Sequence, residues 1–159
     1  MSKTTRTLDE PTLELLADGS PVLLLSADAK GRPHATYSWA IALTGKRLRI
    51  AVDRGGHTST NWRKSGQAAV QIVGQGGRNL LIDGRARRLA PALHCEAAME
   101  PWELAIRGVL DQSWPGVATS TLRYRWPRER AAGMRRFERS LYRELLQAFG
   151  EGRSSMWKE

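Results

Sequence analysis

Between Val52 and Trp62 the chain reads VDRGGHTSTNW: a glycine pair, Gly55 and Gly56, then His57 and three hydroxyl side chains, Thr58, Ser59 and Thr60. Glycine lets a backbone approach a ligand closely. The hydroxyls fall where a short helix over about 58–64 is expected to begin, and a helix start carries unpaired N–H groups and the positive end of the helix dipole. Two chemistries fit this arrangement equally. It is either a seat for a phosphate, or a plain helix start capped by Thr58, Ser59 or Thr60. His57 opens the turn and is either a further donor to a phosphate or an exposed loop residue, and the donor role is preferred.

Other reactive constellations are missing from the sequence. GQGG at 74–77 lacks the third glycine of a dinucleotide loop and precedes a strand-like run, so it reads as a turn. His34, His57, His94 and Cys95 have no metal-ligand spacing, and no metal is expected. Ser26, Ser38 and Ser59 have no sequence link to a His and an Asp, and there is no Gly-x-Ser-x-Gly elbow. No catalytic side chain can be named, so any reaction is expected to run on a cofactor.

The elements that would position the Val52–Trp62 segment follow from hydrophobic period. Asp9 caps a first helix with Pro11 near its start, running to Gly19. PVLLLSA is a strand, Asp28–Gly31 a hairpin turn, and His34–Leu43 a second strand alternating with period two. Thr44-Gly45-Lys46 turns into RLRIAV. After the short helix, AAVQIVG and NLLIDGRARRL are expected as two more strands around the turn Gln75-Gly76-Gly77-Arg78. Pro91 is expected to open a helical region that Pro101 divides, its second half carrying Trp102, Ile106, Val109 and Leu110, with His94 and Cys95 as helix residues. VATSTLRYRW is expected as the sixth strand, and Met134, Phe137, Leu141, Leu145 and Ala148 lie at helical spacing. Successive hairpins without β-α-β alternation predict a mainly β fold with flanking helices, an antiparallel six-stranded barrel in one domain over 1–159.

Bulk properties narrow the partners. With 25 Lys and Arg against 16 Asp and Glu, the net charge is +9. The arginines are scattered, no nucleic-acid-binding motif accompanies them, and the reading goes against nucleic acid. An anionic small ligand draws on the same field. No apolar run approaches the roughly 20 residues of a membrane span. The start MSKTTRTLDEPTLELL has no secretory core, and the single Cys95 cannot form an internal disulfide, so a cytoplasmic location is expected. Of six tryptophans, Trp39 sits mid-strand where it could flank a planar ring, and most are expected in the core or a dimer interface.

In order and spacing, SADAKGRPHAT, SWAIALTGKRLRIAV, DRGGHTSTNWRKSGQAAVQIVG and LLIDGRARRL resemble the pyridoxamine 5'-phosphate oxidase-like family of FMN-binding split β-barrels, over Val22 to about Leu89. The resemblance implies a homodimer with FMN in a groove between subunits. It implies that the strand backbone near Ser38 and Trp39 and at Ala51 and Val52 borders the flavin ring. His57, Thr58 and Ser59 fall where the family holds the phosphate, with Asn61 the helix residue after it. Many members carry a basic residue at the position of Thr58, and often at His57; here Arg54 or Arg63 could supply that charge. The function implied is that of an FMN-dependent oxidoreductase of unread substrate. An F420-dependent reductase, a non-catalytic flavin or haem carrier and a basic binding module are the alternatives.

Overall fold

The computed structural model describes residues 3–149. Its elements are β1 (Thr4–Thr5), α1 (Glu10–Ala17), β2 (Ser20–Ala27), β3 (Pro33–Thr44), β4 (Arg47–Asp53), α2 (His57–Ser65), β5 (Gln67–Val73), β6 (Asn79–Arg88), β7 (Met99–Asp111) and α3 (Ala131–Leu145). All strand pairings are antiparallel, in the order β1-β7-β4-β3-β2-β5-β6. A further β6–β7 pairing closes β2 to β7 into a six-stranded barrel, with β1 as a two-residue addition.

Alternation in the strands separates an inside from an outside. Val22 and Leu24 of β2, Leu48 and Ile50 of β4, and Val70 and Ile72 of β5 fill the interior together with Trp62 from α2 and Trp102 from β7. Each such fully buried side chain contributes about 1.5–3 kcal/mol relative to exposure. The Trp62 and Trp102 rings meet edge to face at 5.7 Å, and Trp62 Nε1 donates to the Leu25 carbonyl at 3.0 Å. β3 shows both environments. Ala40 and Ala42 face inward, while Trp39 and Ile41 join Ala51, Leu93, Met99, Leu141 and Leu145 in a second apolar layer outside the barrel.

Ring closure depends on a close approach. At the β-bulge between Asp83 and Gly84, a Cβ on Gly84 would sit 2.0 Å from the Ala105 carbonyl oxygen, so only glycine fits there.

Two expected elements are not formed. The sixth barrel strand is Met99–Asp111, not 117–126. Trp102, Leu104 and Ile106 alternate into the interior and pair with β4 and β6, whereas spacing of four between Trp102, Ile106 and Leu110 imitates a helix. Pro101 is tolerated opposite Ala51 without breaking the strand. The stretch 91–98 is irregular, so His94 and Cys95 are not helix residues. In 117–126 Leu122, Tyr124 and Trp126 alternate with exposed neighbours, but the stretch forms no ladder with the barrel; it touches the end of β5, where the Leu122 N–H donates to the Val73 carbonyl and the Thr121 hydroxyl to that of Gly74, each at 3.1 Å. Tyr124 and Trp126 instead pack on the outer layer. α3 ends at Leu145, leaving Ala148 beyond it.

The outer layer is pinned by polar contacts. Arg49 of β4 donates to Glu103 at 2.9 Å and to the carbonyls of Leu145 and Gln147 at 3.2 and 3.1 Å. The Glu144 carboxylate of α3 accepts the backbone N–H groups of His94 and Cys95, at 2.5 and 2.9 Å. Among the described residues no helix is long and apolar enough to cross a membrane.

Candidate functional site

β4 ends at Asp53, and a turn carries the chain across the barrel end into α2. Arg54 donates its N–H to the Ala98 carbonyl at 2.8 Å, and Gly56 to that of Asp53 at 3.3 Å. The N-cap of α2 is Gly56, with extended backbone and no side-chain cap, so none of Thr58, Ser59 and Thr60 plays that part. The first intrahelical bond runs from the Thr60 N–H to Gly56 O at 3.0 Å. The N–H groups of His57, Thr58 and Ser59 therefore have no acceptor among the described residues. The ring of His57 is exposed and stacks on that of His34 from β3, centroids 4.5 Å apart and planes at 10°. His34 had no local signal, since it approaches from the neighbouring hairpin.

Thr60 is exposed, but the Thr58 and Ser59 hydroxyls do not face solvent. Ser59 is 1% exposed and donates to Glu100 Oε1 at 2.5 Å; Glu100 is itself fully buried and also accepts from Trp102 Nε1 at 2.9 Å. The partly exposed side chains of Arg63 and Arg88 each approach the same carboxylate to 3.4 Å. Thr58 is buried, with no hydroxyl partner among the described residues. Asn61 is buried and donates to Ser26 Oγ at 3.0 Å. Sequence reasoning missed Glu100, which it assigned to a helix, and with it the anchor that seats α2 on the barrel.

Ser38, Ala51 and Val52 are buried, and Ser38 Oγ donates to the Ala51 carbonyl at 2.5 Å, tying β3 to β4. Of the strand residues expected near a planar ring, Trp39 lines a cavity. Its indole N–H donates to Glu138 of α3 at 3.1 Å. The cavity, of about 520 Å³, lies between the outer face of β3, the end of β4 and α3, with Asp53 on its lip. Asp53 thus belongs both to this cavity and, through its carbonyl, to the turn that opens α2. Predicted residues His57, Thr58, Ser59 and Asn61 are together on α2, Ser38, Trp39, Ala51 and Val52 on the adjoining β3–β4 pair. No group of three or more metal-ligating side chains occurs among the described residues.

No protein-family model and no curated relative matches the sequence. The fold does match solved structures. A protein of Lactobacillus delbrueckii assigned as a pyridoxamine 5'-phosphate oxidase superposes with a TM-score of 0.54 at 16% identity, over 66% of this chain and 94% of that one. HupZ of Group A Streptococcus superposes with a TM-score of 0.57 at 12% identity, over 71% of this chain and 99% of that one. The closed antiparallel barrel, the helix inserted after its third strand and these superpositions agree: the chain has the split β-barrel fold of the pyridoxamine 5'-phosphate oxidase-like proteins.

Proposed function

We propose that the protein binds FMN as a homodimer and is a flavin-dependent oxidoreductase acting on a small molecule. The observation that carries this reading is the open start of α2, where three N–H groups meet no acceptor among the described residues and two stacked imidazoles stand beside them. A phosphate there would accept from the N–H groups of His57, Thr58 and Ser59 and from the His57 ring. The Ser59 hydroxyl, Asn61 and the buried Thr58 would hold the helix in place behind it. The flavin ring would lie toward Trp39, with Ser38, Ala51 and Val52 as the rigid strand pair underneath. Bound flavin supplies hydride chemistry; the chain supplies the anion seat and the orientation.

The test is a comparison of FMN with riboflavin. Hydrogen bonds to a charged group are worth about 1.5–3 kcal/mol each, so two of them predict FMN binding tighter by about 3–6 kcal/mol, or 10²–10⁴-fold. Equal affinities would place the phosphate elsewhere and defeat the reading. Titration with F420 on the same preparation separates flavin from deazaflavin use. Sedimentation at micromolar concentration tests the dimer, and a monomer that still binds FMN would remove the intersubunit groove.

A further inference from the structure

The cavity on the outer face of β3 is unlike the rest of this chain. Four aromatic rings line it: Tyr37 and Trp39 from β3, Tyr124 from the segment before α3, and Phe137 from α3. The rings form a continuous set, with Tyr37 to Tyr124 at 5.5 Å, Trp39 to Tyr124 at 4.9 Å and Trp39 to Phe137 at 5.6 Å between centroids. Tyr37 is 42% exposed and marks the open side. In a protein of net charge +9, the only charged side chains among the described residues that line the cavity are the carboxylates of Asp53 and Glu96. Neither has a basic partner among the described residues. Glu96 is held by the Ala98 N–H at 3.0 Å.

An array of ring faces with carboxylates at its rim attracts a cation twice over. Ring quadrupoles present negative faces, and partial desolvation strengthens both interactions. We propose that this cavity is a binding site for a small organic cation, an amine or quaternary ammonium carried on an apolar body. An anion would meet two carboxylates there, and a neutral molecule would forgo the charge. Burial first, and then the negative charges of Asp53, Tyr37 and Glu138 around it, push the Tyr124 phenol up to about 12. If the flavin reading holds, the ring would close one side of the cavity and the cation would be the substrate. Binding of the cation does not depend on it.

The test uses the full chain, with and without FMN, titrated with benzyltrimethylammonium and with its neutral isostere neopentylbenzene. Binding is followed by calorimetry and by Trp fluorescence. The cation is expected to bind at least about tenfold more tightly than the isostere, the gain a desolvated cation–ring contact supplies. Asp53→Asn combined with Glu96→Gln should erase most of that preference and leave the isostere unchanged. Both positions are at the rim, so folding is not at stake. Raising the ionic strength should weaken the cation alone. Equal affinity for the two probes, or a double variant that keeps the preference, overturns the proposal. Because FMN affinity is measured on the same preparations, failure of the flavin reading and failure of this one are told apart.

Discussion

At the start of α1, Asp9 turns its carboxylate onto the Thr12 N–H at 3.0 Å, and Pro11 removes another donor. At the start of α2 the same position is Gly56, and the N–H groups of His57, Thr58 and Ser59 meet no acceptor among the described residues. Elsewhere, too, the chain covers exposed backbone donors with a carboxylate: Glu144 accepts from both His94 and Cys95. α3, with Arg130 at its N-cap, has no capping side chain either, so what sets α2 apart from α1 is an open start on a turn that shares Asp53 with the cavity. A capping side chain at the start of α2 would stabilise the helix, and it would also fill the position where an external anion finds donors.

Making α2 resemble α1 is the sharpest way to break this comparison. Gly56 has φ −75° and ψ 176°, open to any residue, and an added Cβ would stand 3.4 Å from Asp53 Cβ. Gly56→Asp should therefore fold, place a carboxylate over the open donors and repel phosphate. We expect FMN affinity to fall by about 10²-fold or more, from the loss of charge-assisted bonds of roughly 1.5–3 kcal/mol each, with riboflavin unaffected. Gly56→Ser, a neutral cap, should weaken FMN less while raising thermal stability slightly. FMN titration and a melting curve on the two variants check both halves.

Of intermediate size is the effect of Glu144→Gln, which removes the charge from a buried acceptor and should cost about 1–3 kcal/mol. Burial opposes ionisation of Glu144, but the His94 and Cys95 N–H groups outweigh it and hold its carboxyl below the ordinary glutamate range. A depressed folded-state pKa contributes stability above the unfolded value of about 4.3, which is lost as pH falls through the folded-state value. Acid should thus loosen the contact between α3 and 91–98 first. Amide exchange in these segments across a pH series, compared with Glu144→Gln, checks the sign; identical pH dependence in both proteins would refute it. The smallest effect belongs to Asp9→Ala, at about 1 kcal/mol. It should lower the melting temperature without changing FMN affinity.

Period-two patterning made β2 to β6 legible, along with the Asp9 cap and the position of α2. It failed where two periods overlap. Trp102, Ile106 and Leu110 satisfy a helical spacing while Trp102, Leu104 and Ile106 satisfy a strand, and only pairing with β4 and β6 decides between them. The alternation in 117–126 reports Tyr124 and Trp126 packed on the outer layer, not a strand ladder, since its backbone meets β5 only at its end. At the site, the glycine–hydroxyl turn located α2 correctly. The direction of its side chains was hidden, because the Ser59 acceptor is Glu100, forty-one residues away. The cavity was hidden for the same reason: Trp39 stood out in the sequence, but Tyr124 and Phe137 reach it only after the chain has returned over the barrel.

β7 is the last strand among the described residues, and it supplies both of the pairings that close the ring, to β4 and to β6. On the ribosome, a chain that has emerged only as far as residue 98 has its sheet bounded by β4 and β6, with the facing backbone of both unpaired. Open edges are templates for intermolecular strand addition, and folding dominated by distant pairings is slow. The interval before Met99–Asp111 emerges is therefore the aggregation-sensitive stage of synthesis. A pause in translation downstream of β7, once that strand has cleared the exit tunnel, would give the nascent barrel time to shut, whereas a pause just upstream would prolong the exposure of both edges.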